Sequence, residues 1–501
     1  MLLKPQGKDL KIIGYYLGKI FIGIGLFMLL PIFTCILFKE INPLFDFASG
    51  MCVTLILGLL LNLLCKTDDE PNWMHGLIVV SLSWLGASLL GAIPLYLSGH
   101  WQSYLDAVFD AMSGFATTGL ALVQDLDHLS FGHNLWRHLI MFLGGQGIIV
   151  FALSFLVRGF AGAFKMYVGE AREERVLPNV IGTARFIWIL SIVYLIFGTL
   201  ILGGVAILEG MKPARAFFHS ACIFMAAFDT GGFSPQSQNI LYYHSFPFEI
   251  VTIVFMILGA LNFKLHYALW TGNRREIRRN IESVTFFITL MITFFIVARG
   301  LVKSHTYPTY FALFRKGFYQ LISAHTGTGF MNIYAAQFIK EWATLALLGI
   351  VMAMSLGGSS CSTTGGIKIL RIGIVGKAFL QDIKKIILPE STVTQEKFHH
   401  IKDVILEDKQ VRAALLILVS YLGLYFLGAL IGCALGYPFL EALFESTSAA
   451  ANVGLSCGIT RVSMPGVLKL TYIFQMWIGR LEFMSIFTLL GFLVAWIKGR
   501  R

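Results

Sequence analysis

Apolar runs recur along the chain, each long enough to cross a bilayer as a helix of about 20 residues. The first two stand alone. One runs from about Ile12 to Phe38 behind Lys4, Lys8 and Lys11, and one from about Leu44 to Leu64. A turn, Lys39 to Pro43, joins them, and the polar stretch Lys66 to Asn72 closes them off. The pattern then becomes a unit that returns four times: a long run, a short amphipathic segment, a small-residue loop and a second long run.

In the first unit the long run is Gly76–Leu97, the short segment Tyr104–Met112 and the return run Leu135–Leu156. In the second these are Phe186–Leu208, Ala214–Ala227 and Phe248–Trp270. The third has Val284–Leu301, Tyr310–Ala324 and a return run Trp342–Ile374 that is broken in the middle. The fourth has Val411–Leu435, Phe439–Ala449 and Leu468–Ile497. The short segments cannot cross a bilayer alone. A quasi-regular layout of this kind is a repeat even at low internal identity.

The expected fold class is therefore an all-α polytopic membrane protein. It has four pseudo-fourfold span–pore helix–filter–span repeats around a central pore, preceded by two extra transmembrane helices. The boundaries are 1–72 for the extra pair, then 73–183, 184–281, 282–408 with an intramembrane loop, and 409–501.

Composition agrees. The chain has 501 residues, of which 56% are hydrophobic and 13% charged, against about 25% charged in a soluble domain. Its net charge of +11 raises nucleic acid as a ligand. The basic residues fall instead between apolar runs, which is the positive-inside pattern. Arg158, Lys165, Arg172, Arg175 and Arg185 follow the first return run, Arg274, Arg275, Arg278 and Arg279 the second, and Lys498, Arg500 and Arg501 the fourth. Those ends should face the cytoplasm, with both termini inside, the loops entering from outside and ten crossings. Seven cysteines lie mostly in or beside apolar runs without a CxxC, which argues against a disulfide framework or a zinc site. The first run is too long for a cleavable signal and lacks an A-x-A-like site.

The candidate chemistry lies in the four loops. They carry Thr117, Thr118 and Gly119; Thr230, Gly231 and Gly232; Gly327, Thr328 and Gly329; and Asn452, Val453 and Gly454. A cation leaving water needs replacement oxygens, which a ring of backbone carbonyls supplies for potassium. Aiming those carbonyls inward needs unusual backbone angles, which glycine adopts freely. The short helices would also turn their negative C-terminal ends toward the centre. The bland alternative is that Gly and Thr let spans pack closely. Four loops in the same place favour the pore.

Two further features stand inside apolar runs. Gly357, Gly358, Ser359, Ser360, Cys361, Ser362, Thr363, Thr364, Gly365 and Gly366 make a poor helix. Irregular backbone at membrane depth persists only when buried in protein or lining a wet cavity. It reads as a close-packing kink or as an intramembrane loop able to obstruct the pore. Arg480 in the last run would cost about 2.5–3.5 kcal/mol at a membrane centre, so it should face the pore or a partner. Glu482 is two residues on and shares no helix face with it, so each should have its own partner. Asp106, Asp110, Glu441 and Glu445 read as a negative vestibule or as solvated helix faces. Arg137, Gln146 and Asn262 read as hydrogen-bonding groups between spans.

Ser113–Gly119, Gly231–Ser234, Thr326–Phe330 and Asn452–Gly454 together resemble the four filter segments of the bacterial Trk/Ktr potassium-transporter superfamily, whose fungal and plant members are Trk and HKT. The match runs from Gly76 onward, and the extra N-terminal pair resembles the TrkH branch rather than the KtrB branch. The resemblance implies a potassium-translocating subunit in the bacterial cell (inner) membrane and a homodimer with one pore per protomer, with membrane lipid as a partner. It implies a TrkA-like cytoplasmic ring that binds nucleotide and docks on segments such as Gly159–Arg185 and Gln381–Lys409, with no nucleotide site on this chain. Gly365-Gly366-Ile367-Lys368 resembles the end of the family's gating loop, and Arg480 matches an arginine that reaches toward the pore beside that loop. Gly119 argues for potassium over sodium. Asp229 departs from the expected Asn or Ser and reads as a solvated mouth residue or as a charge that concentrates cations.

An enzyme is not expected. There is no HExxH and no Walker A pattern, and Ser359, Ser360 and Ser362 have no evident His or Asp partner in sequence. A symporter coupled to H+ or Na+, or a K+/Na+ transporter of the KtrB type, stays as the alternative. Coupling favours a chain of intramembrane carboxylates or histidines, and the runs offer few.

Overall fold

The structure, a computed structural model, describes residues 4–152, 163–170, 179–389 and 395–499. Leu156, Arg158, Arg172, Arg175, Arg500 and Arg501 lie outside these, as does much of 159–185. Nearly every described element is helical. Among the described residues, six helices are long and apolar enough to cross a membrane: Gly7–Phe38 taken across a bend, Ile41–Leu64, Trp73–Leu97, Val180–Leu208, Ile281–Lys303 and Asp408–Ala434.

The first two pack as a pair through small residues. A Cβ on Gly18 would sit 2.7 Å from the Gly58 carbonyl oxygen, so the backbones meet at a distance that larger side chains forbid. Each later span is followed by a short helix: Tyr104–Phe115, Pro213–Phe228, Phe439–Ala450, and in the third unit Tyr310–Leu313, a π turn Phe314–Phe318 and Tyr319–His325. Their starts are set locally. Ser103 and Thr309 accept from backbone N–H groups of the first turn, and Pro213 stands at the first helical position, where its missing donor costs nothing.

The return helices differ from the expected straight spans. All four break, not only the third. The first, Phe131–Gln146, stops at Gly147 with φ 98°. The second, Phe246–Ala260, turns by 103° into Phe263–Trp270, and the fourth, Gly466–Leu481, turns by 112° into Met484–Lys498. The third, Thr344–Ser355, passes into an irregular stretch before the helix Ile369–Ile387. The first, second and fourth breaks share a packing feature. Gly144, Gly259 and Gly479 each lie so close to the last carbonyls of the neighbouring short helix (Phe115, Phe228 and Ala450) that a methyl would overlap them. Each of these helices ends one or two residues after its glycine. The fourth break runs through Glu482 at φ 51° and Phe483 at φ 73°, side chains that give no sequence warning of a left-handed turn.

The polar segment between the third and fourth units holds an antiparallel hairpin, Lys397–His400 paired with Lys402–Ile405, that the apolar pattern did not announce.

Candidate functional site

The four short helices end alike. In each, one residue takes a left-handed conformation: Thr117 (φ 50°), Thr230 (φ 50°), Gly327 (φ 69°) and Asn452 (φ 56°). Its N–H bonds three residues back, and the next N–H five residues back, as in Thr118 N to Ser113 O at 2.8 Å and Val453 N to Ser448 O at 2.9 Å. This pair of bonds is the Schellman ending, which satisfies carbonyls that a helix end leaves open. Threonine at positive φ is strained by its branched Cβ. Two of the four positions therefore hold an unfavourable residue that the surroundings must fix.

Two residues later comes a second left-handed position, Gly119 (φ 94°), Gly232 (φ 70°), Gly329 (φ 83°) and Gly454 (φ 94°). Each of these Cα atoms packs against a carbonyl oxygen of another loop: Gly119 against Gly231, Gly232 against Thr328, Gly329 against Val453, and Gly454 against Thr118. The order is first to second, second to third, third to fourth and fourth to first. These contacts join the four loops in one closed cycle, and each of the four glycines is where a Cβ would collide with its neighbour's backbone. The ring is pinned from behind. Ser113 and Ser448 hydroxyls accept from Gly119 N and Gly454 N, both at 3.0 Å.

Buried charges brace the chain where it leaves the ring, which corrects their reading as vestibule or solvated groups. Glu445 is buried and accepts from Ser456 Oγ (2.5 Å), Cys457 N (2.9 Å), Ile459 N (3.1 Å) and Thr460 Oγ1 (2.8 Å). Asp110 accepts from Leu122 N at 2.6 Å and lies 3.8 Å from Arg137. Arg137 in turn donates to Ser234 O and stacks on Phe233 at 4.2 Å. Asp106 pairs with Lys469 at 2.5 Å.

Asp229 is also buried, at the end of the second short helix, where Gln146 Nε2 donates to it at 2.7 Å. It is not a solvated mouth residue. It lies on the helix side of the ring, and a Cβ on Gly145 of the first return helix would sit 2.5 Å from its Oδ1.

The small-residue stretch 357–366 meets the left-handed position of every loop. Thr117 Oγ1 donates to Thr363 O (3.4 Å) and Thr230 Oγ1 pairs with Thr363 Oγ1 (3.1 Å). Thr364 lies within 4 Å of a Cβ built on Gly327, and Gly365 packs on the Asn452 side chain. The stretch is anchored at its base by Gly357 N to Ile367 O (2.8 Å) and Ile369 N to Gly358 O (3.1 Å), and to the second return helix by Ser359 N to Ala260 O (2.9 Å). Cys361 O accepts from Phe263 N at 3.2 Å, and Ser362 Oγ donates to Ser359 O at 2.6 Å. Gly366 lies against Ala451.

Arg480 reaches the same point. It donates to Thr363 O, to Thr117 Oγ1 (3.3 Å) and to Gly144 O (2.6 Å). Glu482 instead pairs with Arg371 of the helix after the stretch, so the two residues do have separate partners. Lys368 closes on Thr364 through its carbonyl and its hydroxyl (3.3 Å).

A polar chain links this stretch to the hairpin. Glu282 accepts from Ser360 N (2.5 Å) and Asn262 Nδ2 (3.1 Å). His400 stands 3.3 Å from Asn280 Oδ1 and 3.9 Å from Glu282. His399 bridges Asp403 (2.7 Å) and Glu276 (3.1 Å), and Glu276 also accepts from Ile401 N (3.0 Å). Asp403 first, then Glu276, raises the His399 pKa above its ordinary value. The same hydrogen bond from His399 lowers Asp403. Burial raises the Glu276 carboxyl, but its hydrogen bonds from His399 and Asn280 outweigh that and leave it lowered.

Comparison with known proteins gives one consistent family. A family model described as "TrkH: Cation transport protein" matches residues 43–493. An uncharacterized cation transporter of Methanocaldococcus jannaschii is 33% identical, over 96% of this chain and 95% of that one. The Trk system potassium uptake protein TrkG of Escherichia coli is 26% identical, over 91% and 93%. The crystal structure of the potassium transporter TrkH from Vibrio parahaemolyticus superposes with a TM-score of 0.79, covering 96% of this chain and 98% of that chain at 24% identity, which establishes a shared fold.

Proposed function

The chain belongs to the TrkH family of cation transport proteins, and from that premise we propose that it is the potassium-conducting subunit of a Trk-type uptake system. The observation that carries this reading is the closed ring of loops, in which each glycine Cα abuts a carbonyl of the next loop. In every loop two residues at positive φ flank one that is not. Alternating the sign of φ turns successive carbonyls to the same side, which is how backbone oxygens come to replace a potassium hydration shell. Four short helices end at the ring, and their C-terminal partial charges favour a cation there. The relatives named as potassium uptake proteins support the choice of ion.

In this reading the units are 73–183, 184–281, 282–408 and 409–501, with 1–72 outside the ring. The stretch 357–366 is a gate closed beneath the filter, and Arg480 holds it there. A guanidinium at that point also opposes any cation below the ring, because like charges in a low-dielectric interior repel strongly. The hairpin end is cytoplasmic, as are both termini, and it is the end on which a TrkA-like nucleotide-binding ring would dock. The chain assembles as a homodimer.

The test is isotope flux with current recorded together in proteoliposomes. Potassium carrying one charge per ion, with no proton or sodium movement, supports a conducting subunit. A fixed K+:H+ or K+:Na+ stoichiometry contradicts it.

A further inference from the structure

A cavity of about 460 Å³ opens beside the gate stretch, at the hairpin end of the molecule. Lys368, Arg371, Lys409 and His400 line it, against one carboxylate, Glu482. That carboxylate is already paired with Arg371. The lining is therefore net cationic, which repels a potassium ion and sets the cavity apart from the conduction path.

The other wall is apolar, formed by Ile374, Phe398, Val404 and Ile417. The helix that supplies Ile417 exposes Leu415, Leu416 and Val419 on its outer side, so the cavity adjoins a surface that faces hydrocarbon in a membrane protein. Lys409 and Gln410 stand in the first turn of Asp408–Ala434, and Leu370 and Arg371 in the first turn of Ile369–Ile387. Two positive helix ends thus add to the side-chain cations. The volume lies in the range of small-ligand sites. It fits a head group and its first methylenes rather than a whole lipid.

We propose that this cavity binds a phosphate ester with an apolar body, and that binding loosens the gate. Basic pockets between helices at the cytoplasmic face suit anionic lipid head groups, and a soluble phosphate ester offers the same chemistry. The link to the gate is Lys368, which lines the cavity and also donates to Thr364 within the stretch. An anion that draws the ammonium outward removes that tie. Ser360, held by Glu282, lines the same cavity. The second half of the proposal rests on the gating role given above to 357–366.

The test compares the purified full chain with Lys409→Glu, an exposed residue outside the ring and the gate. Native mass spectrometry counts phosphatidylglycerol and phosphatidylcholine retained from equimolar mixed vesicles, and isotope flux is measured in vesicles of each composition. The expected result is about a tenfold preference for phosphatidylglycerol that Lys409→Glu abolishes. A severalfold rise in flux with that lipid should be absent in the variant. Displacement by millimolar inorganic phosphate assigns the site to soluble esters, and retention assigns it to lipid. Equal retention of the two lipids, or an unchanged preference in Lys409→Glu, overturns the site. Selective binding without a change in flux overturns the link to the gate and leaves the site standing.

Discussion

Gly454 of the fourth loop packs its Cα against the carbonyl oxygen of Thr118 in the first, and this contact closes four loop-to-loop steps into a ring. A ring closed in this way has no slack at its glycines. Gly119→Ala adds a methyl on top of the Gly231 carbonyl and forces a side chain to φ 94°, a conformation costing roughly 1–2 kcal/mol. Potassium flux in proteoliposomes should fall more than about tenfold, since 1.4 kcal/mol is a factor of ten. The unfolding midpoint should shift far less, because the ring is a small part of the buried structure.

Arg480 ties the stretch 357–366 to the first loop and the first return helix through Thr363, Thr117 and Gly144. Arg480→Ala removes the tie and the positive charge together. Single-channel recording should show a severalfold higher open probability. Unchanged flux and open probability would remove Arg480 from the gate.

Asp106 and Lys469 form a buried pair between the first short helix and the fourth return helix. Breaking such a pair from one side costs about 3–5 kcal/mol, whereas replacing both partners can be nearly neutral. Asp106→Asn and Lys469→Met should each lower stability by about that amount in chemical unfolding, and the double variant should recover most of it.

Glu445 gathers donors from Ser456, Cys457, Ile459 and Thr460. Glu445→Ala leaves them unsatisfied at about 1–3 kcal/mol for each buried group. The first effect should be faster proteolysis within 456–460, with unfolding at lower denaturant concentration.

The hairpin clasp is sensitive to pH at both ends of a window. His399 is raised by Asp403 and then by Glu276, so its contribution is complete below its ordinary value of 6.5 and is lost as pH rises through the raised value. Glu276 and Asp403 are lowered, so theirs is lost as pH falls through the lowered values. Arg279 and Lys397 also face this cluster. Protection of the Ile401 amide, corrected for intrinsic exchange, should fall as pH rises above the His399 value. His399→Gln should flatten that profile.

Much of the architecture was legible in the chain because a bilayer forces it. Long apolar runs made a helical membrane protein of the TrkH fold the expected answer, and the short segments and glycine loops between them marked where the chain turns back. The burial of Asp106, Asp110 and Glu445 was not legible, because a carboxylate on an amphipathic short helix looks the same in sequence whether water or a lysine from a distant helix faces it. Nor were the breaks at Gly147, Asn262 and Glu482. They follow from how closely Gly144, Gly259 and Gly479 meet another helix, which is a property of packing and not of local propensity. The signal that existed was a glycine three residues before each break, a spacing visible only once the return runs are aligned on one another. Arg480 and Glu482 were separable in advance because residues two apart on a helix point to different faces.

Reversal potentials from the purified chain in planar bilayers, with potassium on one side and sodium on the other, test the glycine ring most directly. A large reversal potential, negative on the potassium side and collapsing toward zero in Gly119→Ala or Gly454→Ala while the fold is kept, is the predicted result. Equal permeability to both ions in the wild-type chain, or selectivity unchanged by both substitutions, would contradict it.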